Sequence, residues 1–282
     1  MLIFSFLAYL PFWCLYILAD FLYVLAYHII GYRKKVVWQN LQNSFPKKSE
    51  QELKKIQKQF YRHLFEVFVE TLKILQLSPK ELQKRVQVKN IEIVRKRLEE
   101  GKALVILTSH LFNWEWYSLA TSLAIEKKYP IFFVYQELSS PFFDKLMLKI
   151  RTHFEAKALK MQNILKDVIQ DHKSPRVVAL LADQSPAGNE KDHWTTFLHQ
   201  DTAFFTGAEK IALKLKLPVV LGLGVRVKRG HYLLRFEDMY HPTELPDTEI
   251  TEKYVRLLEK QIQETPSDWL WSHKRWKKKR NF

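Results

Sequence analysis

Residues 1–30, MLIFSFLAYLPFWCLYILADFLYVLAYHII, form an apolar run with one charged side chain, Asp20. A helix of that length extends roughly 45 Å, against about 30 Å for the hydrocarbon core of a bilayer. The run is long enough to span, with tilt or with a kink at Pro11. An aspartate at the bilayer centre costs ~3 kcal/mol, which the many Leu, Ile and Phe side chains offset. No basic segment precedes the run and no small-residue cleavage site follows it, so a secretory signal fits poorly. The alternative is a hydrophobic helix docked on a folded domain or lying in the interface. Arg33, Lys34 and Lys35 close the run. Positive flanks stay cytoplasmic, so the expected layout is a membrane anchor over 1–31 and a domain over 32–282 on the cytoplasmic face.

Residues 36–77 carry the helical period of two amphipathic segments, separated at SFPKKSEQEL. There Pro46 breaks the first, and Ser49 with Glu52 offers a capping box to the second. Ile56, Phe60, Leu64, Val67 and Phe68 supply the apolar stripe of the second. From about residue 85 the pattern changes. The short apolar runs ALVILT (103–108), PIFFVYQ (130–136) and VVALLAD (177–183) read as buried strands. They alternate with helical segments at 91–100, 113–126, 140–153 and 206–215. Strands at 218–227 and 232–238 and a helix over 249–264 complete the chain. Such alternation implies an α/β fold, with a mostly parallel sheet flanked by helices. Ligands in folds of this kind sit beyond the carboxyl ends of strands. His110, Gln136 and Asp183 all lie at such ends.

Charge narrows the partner. The net charge is +15, and HKRWKKKR (273–280) alone holds six Lys or Arg residues. A basic surface of this kind seeks nucleic acid, acidic lipid headgroups or an acidic carrier protein. No ribonucleoprotein motif, zinc finger or GXXG loop is present, so nucleic acid is not the expected partner. Trp271 and Trp276 in the tail suit either a membrane interface or core packing under a solvated end. The lone cysteine, Cys14, precludes an internal disulfide framework.

Candidate chemistry sits in LVILTSHLFNWEW (104–116), where His110 ends a strand and Glu115 follows five positions later. With His110 in the strand-to-helix turn, Glu115 in the first turn of the helix can reach back to the ring. A carboxylate on one ring nitrogen fixes the tautomer and leaves the other nitrogen basic. This is a hydrolase triad without its nucleophile, a role that a substrate hydroxyl can fill by attacking a thioester.

SHLFNWEW resembles the H-x4-D/E motif of the glycerolipid acyltransferase superfamily. It is closest to the bacterial late acyltransferases of lipid A biosynthesis, where H-F-G-N-W-E is common. YRKKVVWQNLQNSFP (32–46), VYQELSSPFFDKLMLKIR (134–151), LLADQSP (180–186), TAFFTGAEKIALKLKLPVV (202–220) and WLWSHKRW (269–276) resemble further blocks of that family in the same order. The resemblance implies an acyltransferase domain over 32–282 that moves a fatty acyl chain from acyl carrier protein, or coenzyme A, to a hydroxyl of a lipid A precursor. It implies His110 as general base with Glu115 as its partner. It also implies substrate-binding roles for Arg151, Asp183 and Gln184, while Asn113 orients the turn or caps the helix. Arg151 offers a planar fork for a phosphate; the turn residues Pro186 and Gly188 follow Asp183 and Gln184. Three positions depart from the family's usual form: Leu111-Phe112 for Phe-Gly, Gln136 for Arg, and Ser185 for an acidic residue.

No metal or nucleotide cofactor is expected. The pair of glycines at 222–224 lacks the third of a dinucleotide fingerprint, and no phosphate-binding P-loop occurs. DHWTTFLHQD (192–201) holds two histidines without metal-ligand spacing. Two other readings stay open at this stage. One is a lysophospholipid or amino-acid-lipid acyltransferase with the same dyad; the other is a basic, membrane-docked binding or scaffold protein.

Overall fold

The computed structural model of the chain describes residues 2–186, 192–245 and 248–280. The expected turn residue Gly188 lies outside these. The apolar N-terminus folds as two helices rather than one. Helix α1 (Leu2–Tyr9) stops before Pro11, which lacks an amide hydrogen and disfavours helical backbone in the preceding residue. Helix α2 (Phe12–Val24) restarts there and runs on as a π-helical turn over Leu25–Ile30, ended by Gly31 in left-handed conformation. Helix α3 (Lys34–Ser44) leads to α4 (Glu50–Lys73), whose capping box forms as expected. The Ser49 amide donates to the Glu52 carboxylate at 2.8 Å, and the Glu52 amide donates to the Ser49 hydroxyl at 3.3 Å. Helix α2 lies against α4, burying Leu15 and Ala19 beside Val69. Helix α5 (Pro79–Arg85) then feeds the sheet.

The sheet is seven-stranded and mostly parallel, as its apolar runs imply. Its strands are β1 (Val86–Lys89), β2 (Leu104–Thr108), β3 (Ile131–Tyr135), β4 (Lys157–Lys160), β5 (Val177–Leu181), β8 (Val219–Lys228) and β9 (His231–Tyr240). The spatial order is β1-β9-β8-β2-β5-β3-β4, and only the β8–β9 hairpin pairs antiparallel. Helices α6 (Ile91–Glu99), α7 (Trp114–Ala124), α8 (Pro141–Arg151), α9 (Ile164–Asp171), α10 (Gly207–Leu215) and α11 (Ile250–Glu264) flank it. The four residues of β4 and eight of α9 are too short to register a period, so pattern reading passes over them. The segment with two histidines is a separate hairpin, β6 (His193–Phe197) and β7 (Gln200–Phe204). Its His193 bonds Glu252 at 2.5 Å, and His199 sits in the turn.

Of the two glycines in β8, Gly224 serves packing. Strand β8 runs beneath α7, and Tyr117 of that helix presses its ring onto Gly224, where a methyl group would lie 2.1 Å from ring carbon. Tyr117 is buried and cannot swing clear. Replacing Gly224 by Ala is therefore expected to destabilise the fold by about 1–3 kcal/mol through overpacking. An unchanged midpoint in chemical unfolding would show that the ring has room to move.

Candidate active site

Strands β2 and β5 are neighbours in parallel register, with Thr108 opposite Leu181. Two residues beyond that pair, His110 and Asp183 face one another. His110 Nδ1 lies 2.7 Å from Asp183 Oδ1, and the His110 amide donates to Oδ2 at 2.9 Å. The indole of Trp269 donates to the same Oδ2 at 2.8 Å. Burial by itself would push the Asp183 carboxyl up; the adjacent His110 ring and these three donors outweigh it and hold the group below its ordinary value. An ionised Asp183 only accepts, so the His110 proton sits on Nδ1 and the lone pair on Nε2. The Gln184 side-chain nitrogen lies 3.2 Å from Nε2 and caps that lone pair.

Glu115, expected on the His110 ring, is turned elsewhere. It occupies the first turn of α7 with its carboxylate on Arg151, at 2.5 Å from Nη2 and 2.9 Å from Nε. The Trp114 indole also donates to it, at 3.1 Å. The reason is electrostatic. Arg151 ends α8 largely buried, and a guanidinium taken out of water needs a counter-charge, which the fork geometry takes bidentately. Asn113 does cap α7, its side-chain oxygen accepting the Trp116 amide at 3.0 Å. Gln136 ends β3 on the far side of β5 and is exposed. Of the three strand-end groups, the fold joins two.

The turn between His110 and α7 explains one departure from the usual motif. Phe112 stands in left-handed backbone with φ +54. Glycine adopts that conformation freely, whereas a side chain costs about 1–2 kcal/mol. Phe112 is held there by burial of its ring and by its amide, which donates to the Asp268 carbonyl at 2.9 Å.

The family model described as bacterial lipid A biosynthesis acyltransferase matches residues 1–278. The chain belongs to that family. No individual curated protein matches it closely enough to be named beside it. The lipid A acyltransferase family is an enzyme family, and this chain is accordingly an acyltransferase that uses an acyl donor and a lipid acceptor.

In this family member the C-terminal segment is part of the site wall, not a frayed tail. Leu111 pairs with Trp269 as an isolated antiparallel bridge. Asn40 donates to the carbonyls of Trp271 (2.9 Å) and His273 (3.1 Å), and Arg33 to that of Ser272 (2.9 Å). Trp271 is fully buried, and Arg275 lies buried over the Phe204 ring, donating to the Ala203 carbonyl. Core packing, rather than a membrane interface, thus accounts for Trp271.

Pattern reading missed Glu70, a fully buried carboxylate of α4 behind α7. It accepts from Asn113 Nδ2 (2.7 Å), Tyr232 Oη (2.7 Å) and Tyr16 Oη (2.9 Å). Its signal was a charge on the buried stripe, three positions beyond Val67. Burial pushes its carboxyl up to about 7, although the three donors oppose the shift.

Two outcomes follow from these contacts. Removing Glu115 alone strands Arg151, so Glu115→Ala should cost about 3–5 kcal/mol. Glu115→Ala combined with Arg151→Leu should recover most of that loss, a recovery that a double-mutant cycle on unfolding free energies measures. Glu70 binds its proton more tightly folded than unfolded, so it adds stability in acid. That stability is lost as pH rises from about 4.5 to about 7, an effect on the order of 3 kcal/mol. Glu70→Gln should flatten that part of the stability–pH curve, and a curve identical to the parent's would refute the assignment.

Proposed function

We propose that the chain transfers a fatty acyl group from an acyl carrier protein thioester to a hydroxyl of a lipid A precursor, with His110 as general base. The observation that carries this is the His110–Asp183 contact. It leaves Nε2 unprotonated and facing Gln184, a neighbour that a substrate hydroxyl can displace. The hydroxyl gives its proton to Nε2 as its oxygen attacks the thioester carbonyl. The tetrahedral intermediate collapses to the ester, and the departing thiolate takes the proton back from His110. Asp183 orients the ring and balances the transient imidazolium.

In this reading Asn113, Glu115 and Arg151 frame the reaction. Asn113 sets the start of α7, and Glu115 holds Arg151 beside the Trp114 ring, which stands edge-on to His110 at 5.2 Å. A phosphate of donor or acceptor reaches Arg151 by displacing Glu115. The net charge of +15 suits an anionic donor, either an acidic carrier protein or the phosphates of coenzyme A. The basic end of the apolar run favours the cytoplasmic face of the inner membrane as the working place.

Incubating the purified chain with acyl carrier protein thioesters and a lipid A precursor tests the proposal. His110→Ala should abolish transfer with the fold intact; a variant with normal turnover would rule out this base. Asp183→Asn, which leaves the wrong tautomer, should lower kcat by about 10^3–10^4, whereas an Asp183 variant unaffected beside an inactive Glu115→Gln would return the orienting role to Glu115. Mass spectrometry of a deletion strain separates the acceptors: missing secondary acyl chains on lipid A support the proposal, and altered phospholipids or aminolipids replace it.

A further inference from the structure

Helix α2 is apolar on two opposite faces. Leu15, Ala19, Tyr23 and Ala26 form one stripe, buried against the folded domain. On the other face Trp13, Ile17 and Phe21 are each more than 60% exposed, and Phe6 and Tyr9 of α1 extend the same surface. A helix hydrophobic all round is covered either by protein or by lipid; here protein covers one side only.

The polar groups beside α2 decide how lipid meets it. Phe12–Ile30 is continuous helix long enough to cross a bilayer. Its middle, however, is lined by charge. Asp20 pairs with Arg229 at 2.6 Å, Arg229 also pairs with Glu66 at 2.8 Å, and the Arg62 guanidinium lies over the Tyr23 ring. Near the first turn Tyr16 bonds Glu70, and Lys73 donates to the carbonyls of Ala8 and Leu10, both at 2.8 Å. If α2 crossed the bilayer, α4 and the β8–β9 turn would be drawn with it, and these charges would stand at mid-membrane. Charged groups at that depth are costly even when they are paired. If α2 lies flat, all of them stay on the water side and only the Trp13–Ile17–Phe21 face enters hydrocarbon.

A second apolar patch adjoins α1. The Phe4 ring packs against Phe142 and Phe143 at 6.0 and 6.3 Å, and both of those residues are more than 40% exposed at the start of α8. Helix α8 runs from this patch to Arg151, whose partner Glu115 adjoins the Trp114 ring on His110.

We infer that α1 and α2 lie in the plane of one leaflet, immersing the Phe6–Phe21 face together with Phe142 and Phe143, so that the enzyme is monotopic and does not span. The partner is the acyl region of a phospholipid leaflet. The inference deepens the membrane-bound reading above and rests on it, but not on the identity of donor or acceptor. Its consequence is that a lipid acceptor reaches the His110 wall along α8 without leaving its leaflet.

Spin-label depth measurements on the full chain, in vesicles of phosphatidylethanolamine and phosphatidylglycerol, test this. In a Cys14→Ser background, labels go singly on Trp13→Cys, Ile17→Cys, Phe21→Cys, Val24→Cys and Phe143→Cys. The expected result is one shared shallow depth for the four α2 sites, and a buried rather than aqueous signal at residue 143. A gradient of about 16 Å between residues 13 and 24, the rise of an upright helix, would overturn the in-plane arrangement while keeping the membrane. Aqueous signals at residue 143 alone would remove α8 from the immersed face, and aqueous signals at all five sites would overturn membrane binding itself.

Discussion

The site depends on keeping one carboxylate ionised in the interior. Asp183 is 2% exposed, and a buried carboxylate survives as an anion only where donors replace the water it has lost. The fold supplies three, two from His110 and one from Trp269. The requirement works in both directions. Asp183 fixes the ring of His110 in one tautomer, and His110 keeps Asp183 charged. Remove the adjacency of β2 and β5 and neither group has a reason to stay where it is.

Two further motif blocks of the sequence close around that pair. The segment after the apolar helices contributes Arg33 and Asn40, whose side chains grip the carbonyls of the C-terminal loop. That loop pairs with Leu111 and accepts the Phe112 amide, holding the motif turn in its left-handed kink. It also presents Trp269 to Asp183. Segments separated by more than two hundred residues thus close on one turn, and the strain at Phe112 is sustained by contacts on either side of it.

Behind the turn, Glu70 ties three elements that would otherwise meet only through apolar contact: α2 through Tyr16, α7 through Asn113, and β9 through Tyr232. Polar bonds of this kind have direction, where hydrophobic packing has little. The arrangement sets α2 at a defined position relative to α7, the helix that begins beside His110. The apolar N-terminal helix and the His110–Asp183 pair are therefore joined through buried hydrogen bonds.

Local pattern determined the α/β class, the short buried strands and the Ser49–Glu52 cap, because each follows from residues within a few positions of one another; at Pro11, where a kink is the expectation, the chain makes two helices. The ordered motif blocks determined the acyltransferase family and brought His110 forward as the candidate base. Two things were decided only in three dimensions. Which carboxylate meets His110 depends on strand order: Glu115 is near in sequence, but Asp183 is near in space, and the buried charge of Arg151 claims Glu115. Which of the two hydrophobic faces of α2 the domain covers is the other: Leu15 and Ala19 pack on α4, while Trp13, Ile17 and Phe21 stay exposed. Hydropathy along a chain records how much apolar surface there is; only packing settles which part of it is covered.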